Sequence, residues 1–293
     1  MITLTKNAVR ALVVAGALAV SSAGAMASGE GGHHYVKQDW SFAGPFGKFD
    51  KAQLQRGFKI YREVCSSCHS MDYVAFRNLG QDGALGFTED EVKAIAAEYE
   101  VEDGPNADGD MFTRPGKPFD HIPSPFPNVE AAAAANGGKA PPDLSLIAKA
   151  RAASVGPDVG IEVFNDILRL IWHPLTTYQE YGPDYIFALL TSYEETPEDL
   201  KEVVGDKYYN PAFGSGVAIG MAPPLSDELV EYTDGTPMTT EQYARDVTAF
   251  LMWAAEPKLE ERKHVGVNSL IFLVVLSFLL FFTKRKLWSG VKH

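Results

Sequence analysis

The chain has 293 residues, 46% hydrophobic and 22% charged, an ordinary globular composition that excludes a disordered or collagen-like chain. Its two cysteines, Cys65 and Cys68, sit three positions apart, so no disulfide framework can staple distant segments. Six of the 26 basic residues lie in the first 27 positions or beyond Lys263, leaving 20 against all 38 acidic ones, a net of −18 that repels nucleic acid and anionic lipid and suits a basic protein partner.

Lys6 and Arg10, an apolar run over residues 11–20 and the small-x-small pattern Ala25-Met26-Ala27 form the layout of a secretory signal peptide over residues 1–27. Ten apolar residues rise only about 15 Å, half a bilayer core, which argues against an uncleaved anchor. Residues 33–47, rich in glycine and aromatics without periodicity, read as a wrapping segment. A helix is predicted from about Asp50, with Leu54, Phe58, Tyr61 and Cys65 along one face. A second opens at Thr88, where Glu91 completes a capping box ahead of Val92, Ile95, Ala96 and Tyr99.

Residues 101–127, rich in proline, glycine and acids, predict a long surface excursion. A short alanine helix over 129–135 should stop at Asn136-Gly137-Gly138. Helical spacing recurs at Ile161, Phe164, Ile167, Leu168 and Ile171, and again over 185–193. The last soluble helix opens at Thr239 with Gln242 as capping partner, and buries Tyr243, Val247, Phe250, Leu251 and Ala254 before Pro257 interrupts it.

Residues 265–283 carry no charge and contain LIFLVVLSFLLFF; nineteen residues rise about 28 Å, enough for one transmembrane helix. The cluster Lys284-Arg285-Lys286 puts the tail, 284–293, in the cytoplasm by the positive-inside rule, and the signal peptide sends the preceding domain outward. The expected protein is all-α with long loops: a periplasmic domain over 28–264 on a single C-terminal span in a bacterial inner membrane.

Cys65-Ser66-Ser67-Cys68-His69 is the C-x-x-C-H pattern of covalent haem attachment, in which two thiols add to the vinyl groups and the adjacent imidazole takes one axial position on iron. A structural zinc site would need more ligands, yet there is no further cysteine and the other histidines are scattered. A thiol oxidoreductase would want a βαβ context that this chain lacks. An electron carrier fills the second axial position, with Met raising the potential relative to His. Met71 is too close to His69 to reach the opposite face, and Met252 falls inside a helix. Met221, in Gly220-Met221-Ala222-Pro223-Pro224, stands only slightly ahead of Met111 and Met238 on the residues alone.

From Trp40 onward the chain resembles the cytochrome c1 family, haem-c subunits of the cytochrome bc1 complex. The resemblance is carried by CSSCHSMDYVAFRNL, EDGPNADGDMFTRPGKP, ANGGKAPPDLSLIAKAR, AIGMAPPL, YTDGTP and FLMWAAEPKLEERK, in the family's order. It implies a class I cytochrome c-like domain with one haem c held by Cys65 and Cys68. His69 and Met221 would be the axial ligands, Arg151 would lie near a propionate, and Pro141 and Pro142 would pack beside the ring. The implied role is electron transfer in a quinol–cytochrome c reductase, from a Rieske iron–sulfur protein to a soluble c-type cytochrome, with cytochrome b in the same complex. The chain alone is then an electron carrier with no catalytic side chain. A free-standing membrane-anchored cytochrome feeding an oxidase is the alternative. The chain departs from the short mitochondrial pattern by the insertion over 152–181, and lacks an additional cysteine pair found in some bacterial members.

Overall fold

The computed structural model describes residues 35–151 and 181–290. The signal peptide and the helical spacing over 161–171 lie outside the described residues. In chain order the helices are α1 (Lys51–Glu63), α2 (Glu89–Ala97), α3 (Val129–Ala135), α4 (Ile147–Ala150), α5 (Tyr181–Thr191), α6 (Lys201–Val204), α7 (Thr240–Ala255) and α8 (Leu259–Trp288). Four short strands make two antiparallel pairs: β1 (Glu100–Asp103) with β2 (Phe112–Pro115), and β3 (Tyr208–Tyr209) with β4 (Ala218–Ile219).

The Asp50 carboxylate opens α1 by accepting from the amides of Ala52 and Gln53 at 2.9 and 3.2 Å. Leu54, Phe58 and Tyr61 are buried as their spacing predicts. The α-helix ends before Cys65, however, and Cys65–Ser67 forms a 3₁₀ turn. Ser66 and Ser67 explain the change, since their hydroxyls turn back to the carbonyls of Arg62 and Val64 at 2.7 and 2.9 Å and compete with continued helix. The Thr88–Glu91 capping box of α2 forms in full. In α7 only half of the expected box does: the Gln242 amide nitrogen bonds Thr239 Oγ1, while its side chain donates to Asp246 at 2.8 Å.

The five residues predicted for the inner face of α7 are all buried. Helices α1 and α7 cross at Gly57, where an added Cβ would stand 2.1 Å from the Asp246 carbonyl oxygen and 2.7 Å from Phe250 Cβ. Glycine is required there by close approach. Phe250 then packs between Phe58 and Tyr61, at ring-centroid distances of 5.6 and 5.8 Å. Asp246 is wholly buried and accepts from Arg56 Nε at 2.8 Å and the Tyr232 hydroxyl at 2.9 Å, so its charge is paired inside the domain.

The N-terminal segment wraps as expected. Buried Asp184 on α5 accepts from Trp40 Nε1 at 2.8 Å and Gln38 N at 3.0 Å, and Arg245 of α7 lies over the Trp40 and Phe187 rings. The excursion after α2 is not featureless. It holds the β1–β2 hairpin, with Arg114 pairing Asp103 and Asp120.

Pro257 separates α7 from α8, which starts at Leu259, six residues before the uncharged run. Its root belongs to the domain: Leu259 is fully buried, the Glu260 carboxylate accepts from Phe49 N at 2.9 Å, and Lys263 Nζ donates to the Phe42 carbonyl. Beyond the root the helix is apolar, with mean hydropathy 2.6 and none of that stretch buried, so it is long and apolar enough to cross a membrane.

Candidate functional site

The Cys65–Ser67 turn leaves α1 against the core and sets Cys65 half-buried and Cys68 exposed. Burial, with Cys68 nearby adding to it, pushes the Cys65 thiol up to about 12.

His69 follows, with its amide on the Cys65 carbonyl at 2.9 Å. Its Nδ1 lies 2.8 Å from the Pro142 carbonyl oxygen. A carbonyl can only accept, so Nδ1 carries the hydrogen and the lone pair sits on Nε2. Burial lowers the imidazole pKa against the opposing Pro142 bond and Asp143 charge, which favours the neutral, metal-binding form.

Around this ring, residues 69–73 are laced to residues 142–145. Leu144 N bonds the Ser70 carbonyl at 2.9 Å, and Tyr73 N donates to Ser145 Oγ at 3.1 Å. Asp143 is the centre of the lacing: it accepts from Ser70 Oγ, Asp72 N and Ser145 N, each at 2.8 Å. Burial acts to raise the Asp143 carboxyl, but these hydrogen bonds prevail and hold it below the ordinary aspartate value. The sequence reading missed Asp143. The only signal was its place in the APPDLS motif beside the two prolines. Pro141 is half-buried, and Pro142 is exposed and works through its carbonyl.

The remaining residues sit on other elements. Met71 and Met252 are fully buried in the core, whereas Met111 is 55% exposed near the β1–β2 hairpin and Met238 is 36% exposed, its sulfur accepting from Tyr232 N. Met221 is half-buried on the loop after β4, and its carbonyl accepts from the Tyr193 hydroxyl at 3.1 Å. Arg151 ends α4, its amide on the Ile147 carbonyl at 3.0 Å, and its charge acts on the hydroxyl of Tyr185.

Among the described residues no three His, Cys, Asp or Glu side chains gather where a metal ion could be held. Two thiols on one turn and a neutral imidazole with its Nε2 lone pair fixed do fit a haem bound through thioethers with one nitrogen ligand. Together with the α1–α7 crossing, they define a c-type cytochrome domain.

The comparisons agree. The model of the cytochrome C1 family matches residues 40–291. The chain is 49% identical over 95% of its length to the cytochrome b/c1 of Bradyrhizobium diazoefficiens, of which it covers 39%. It is 46% identical to the cytochrome c1 of Rhodospirillum rubrum over the full length of both. With the mitochondrial cytochrome c1 haem protein of Saccharomyces cerevisiae it shares 43% identity, over 92% of this chain and 77% of that one. The chain therefore belongs to the cytochrome c1 family, the haem-carrying subunits of the bc1 complex, whose members bind haem c covalently.

Proposed function

We propose that this chain is the electron-transfer subunit of a quinol–cytochrome c reductase. It takes one electron from a Rieske iron–sulfur protein and delivers it to a soluble c-type cytochrome, in a complex that includes cytochrome b. The observation that carries this reading is the His69 ring: tied through Nδ1 to Pro142, it offers Nε2 from the turn that bears both thiols. When bound, haem c supplies a one-electron couple whose potential depends on its axial ligands and burial. Cys65 and Cys68 would hold it, His69 and Met221 would ligate the iron, Arg151 would lie near a propionate, and Pro141 and Pro142 would pack beside the ring. No side chain acts as nucleophile or base. Helix α8 is the single membrane span, with Lys284-Arg285-Lys286 on the cytoplasmic side and the haem domain in the periplasm.

Purification in detergent tests the assignment. The expected product carries c-type and b-type haem with an iron–sulfur subunit and reduces a basic cytochrome c with quinol. The second-order rate should fall as salt rises, because the Debye length shrinks from about 10 Å at 0.1 M to about 3 Å at 1 M and the domain's net −18 is screened. A c-type spectrum with neither b-type haem nor an iron–sulfur subunit would assign the chain instead to a free-standing carrier.

A further inference from the structure

The loop that carries Met221 is bound to the end of α5. Strand β4, just before it, pairs with β3, and Asn210, wholly buried, bonds the Val217 carbonyl through its amide at 2.9 Å. The Asn210 side chain reaches the Leu189 carbonyl in the last turn of α5 at 2.8 Å. Two residues beyond that helix, the Tyr193 hydroxyl donates to the Met221 carbonyl itself at 3.1 Å. After Met221 come Ala222, Pro223 and Pro224, and the prolines have no amide hydrogen with which to secure the loop from the other side. Helix α5 is a firm support: an added Cβ at Gly182 would stand 1.7 Å from the Ala148 carbonyl oxygen, so α5 lies directly against α4.

We infer that Tyr193 is a positioning residue for the sixth ligand, its hydroxyl fixing the Met221 carbonyl to the end of α5 and thereby holding the thioether in place. The inference rests on Met221 as axial ligand. A bond of this kind contributes about 1 kcal/mol, so its loss should raise the population with the thioether released by about fivefold. External ligands compete for the same position, and their apparent affinity rises with that population.

The test uses the full-length chain in detergent, with haem content verified, as wild type, Tyr193→Phe, Tyr232→Phe and Met221→Leu. The ferric proteins are titrated with imidazole, and the charge-transfer absorption of the iron–thioether bond is followed. Tyr232→Phe removes a buried tyrosine bond from a residue further along the same connection, one made to Asp246 of α7 rather than to Met221, and controls for general loosening. Tyr193→Phe should bind imidazole about fivefold more tightly, Tyr232→Phe should stay within about twofold of wild type, and Met221→Leu should lack the band. Unchanged imidazole affinity in Tyr193→Phe, with the band lost in Met221→Leu, would overturn the brace and leave the ligand assignment standing. Equal rises in the two tyrosine variants would also overturn it. Retention of the band in Met221→Leu would remove the ligand assignment, and this inference with it.

Discussion

Pro142 and Asp143 divide the work of fixing the His69 imidazole. Pro142 sets which ring nitrogen is free, while Asp143 holds the two chain segments that carry the ring and the carbonyl. Asp143→Ala strips acceptors from Asp72 N, Ser145 N and Ser70 Oγ at once, and bonds to a charged acceptor are each stronger than neutral ones. The expected loss is about 3 kcal/mol in denaturant unfolding of the haem-loaded protein, with Asp143→Asn milder because it keeps one carbonyl acceptor. Equal stability of Asp143→Ala and wild type would show the lacing to be incidental. Cys65, Cys68 and His69 were legible in the sequence because covalent attachment dictates their spacing. Asp143 was not, since its partners Ser70 and Asp72 lie 73 and 71 positions away and no local pattern encodes that approach.

Helices α1, α2 and α7 were legible as elements because each has apolar residues at helical spacing and carries a side-chain cap at its start, although α7 is buried nearly all round from Tyr243 to Ala254. The β1–β2 hairpin was not: its strands are mostly exposed on both faces, so no alternation of apolar residues marks them. Helix α5 is already helical at Tyr181, ahead of the apolar spacing over 185–193. The joint between α7 and α8 was hidden for another reason. Its ties run between elements and leave no local pattern: Glu256 takes ion pairs from Lys149 at 2.5 Å and from Arg262, tying α4 and both helices together. Burial acts to raise the Glu256 carboxyl, but its bonds to Arg262 and Lys149 prevail and keep it below the ordinary value of 4.5. A carboxyl depressed in the folded state contributes its full stability above the unfolded value and loses it as pH falls through the folded one. Lys149 and Arg262 are 40% and 57% exposed, so water screening limits the tie to about 1 kcal/mol. Glu256→Gln should therefore melt about 2–4 °C below wild type at pH 7, a gap that closes as pH drops below about 4.5. A gap that stayed constant into acid would show that the carboxylate charge is not what ties the joint.

Across the whole molecule, α8 is one continuous helix of two parts, and the boundary between them falls inside it. Leu259, Glu260 and Lys263 belong to the soluble core, whereas the apolar window beyond is uncovered. Two truncations separate these parts. A chain ending at His264 keeps every root contact, so it should be soluble, retain its haem and match the stability of the full protein in denaturant. A chain ending at Lys258 loses the burial of Leu259, about 1.5–3 kcal/mol, and the Glu260 and Lys263 bonds to backbone, about 1 kcal/mol each. Against a total of about 5–15 kcal/mol for a folded domain, a combined loss of about 3–5 kcal/mol should appear as a lower denaturation midpoint and faster proteolysis of the haem domain. The two truncated chains unfolding at the same midpoint would mean that the root is only a tether. The His264 chain remaining with membranes after a salt wash would mean that another segment holds the domain to lipid.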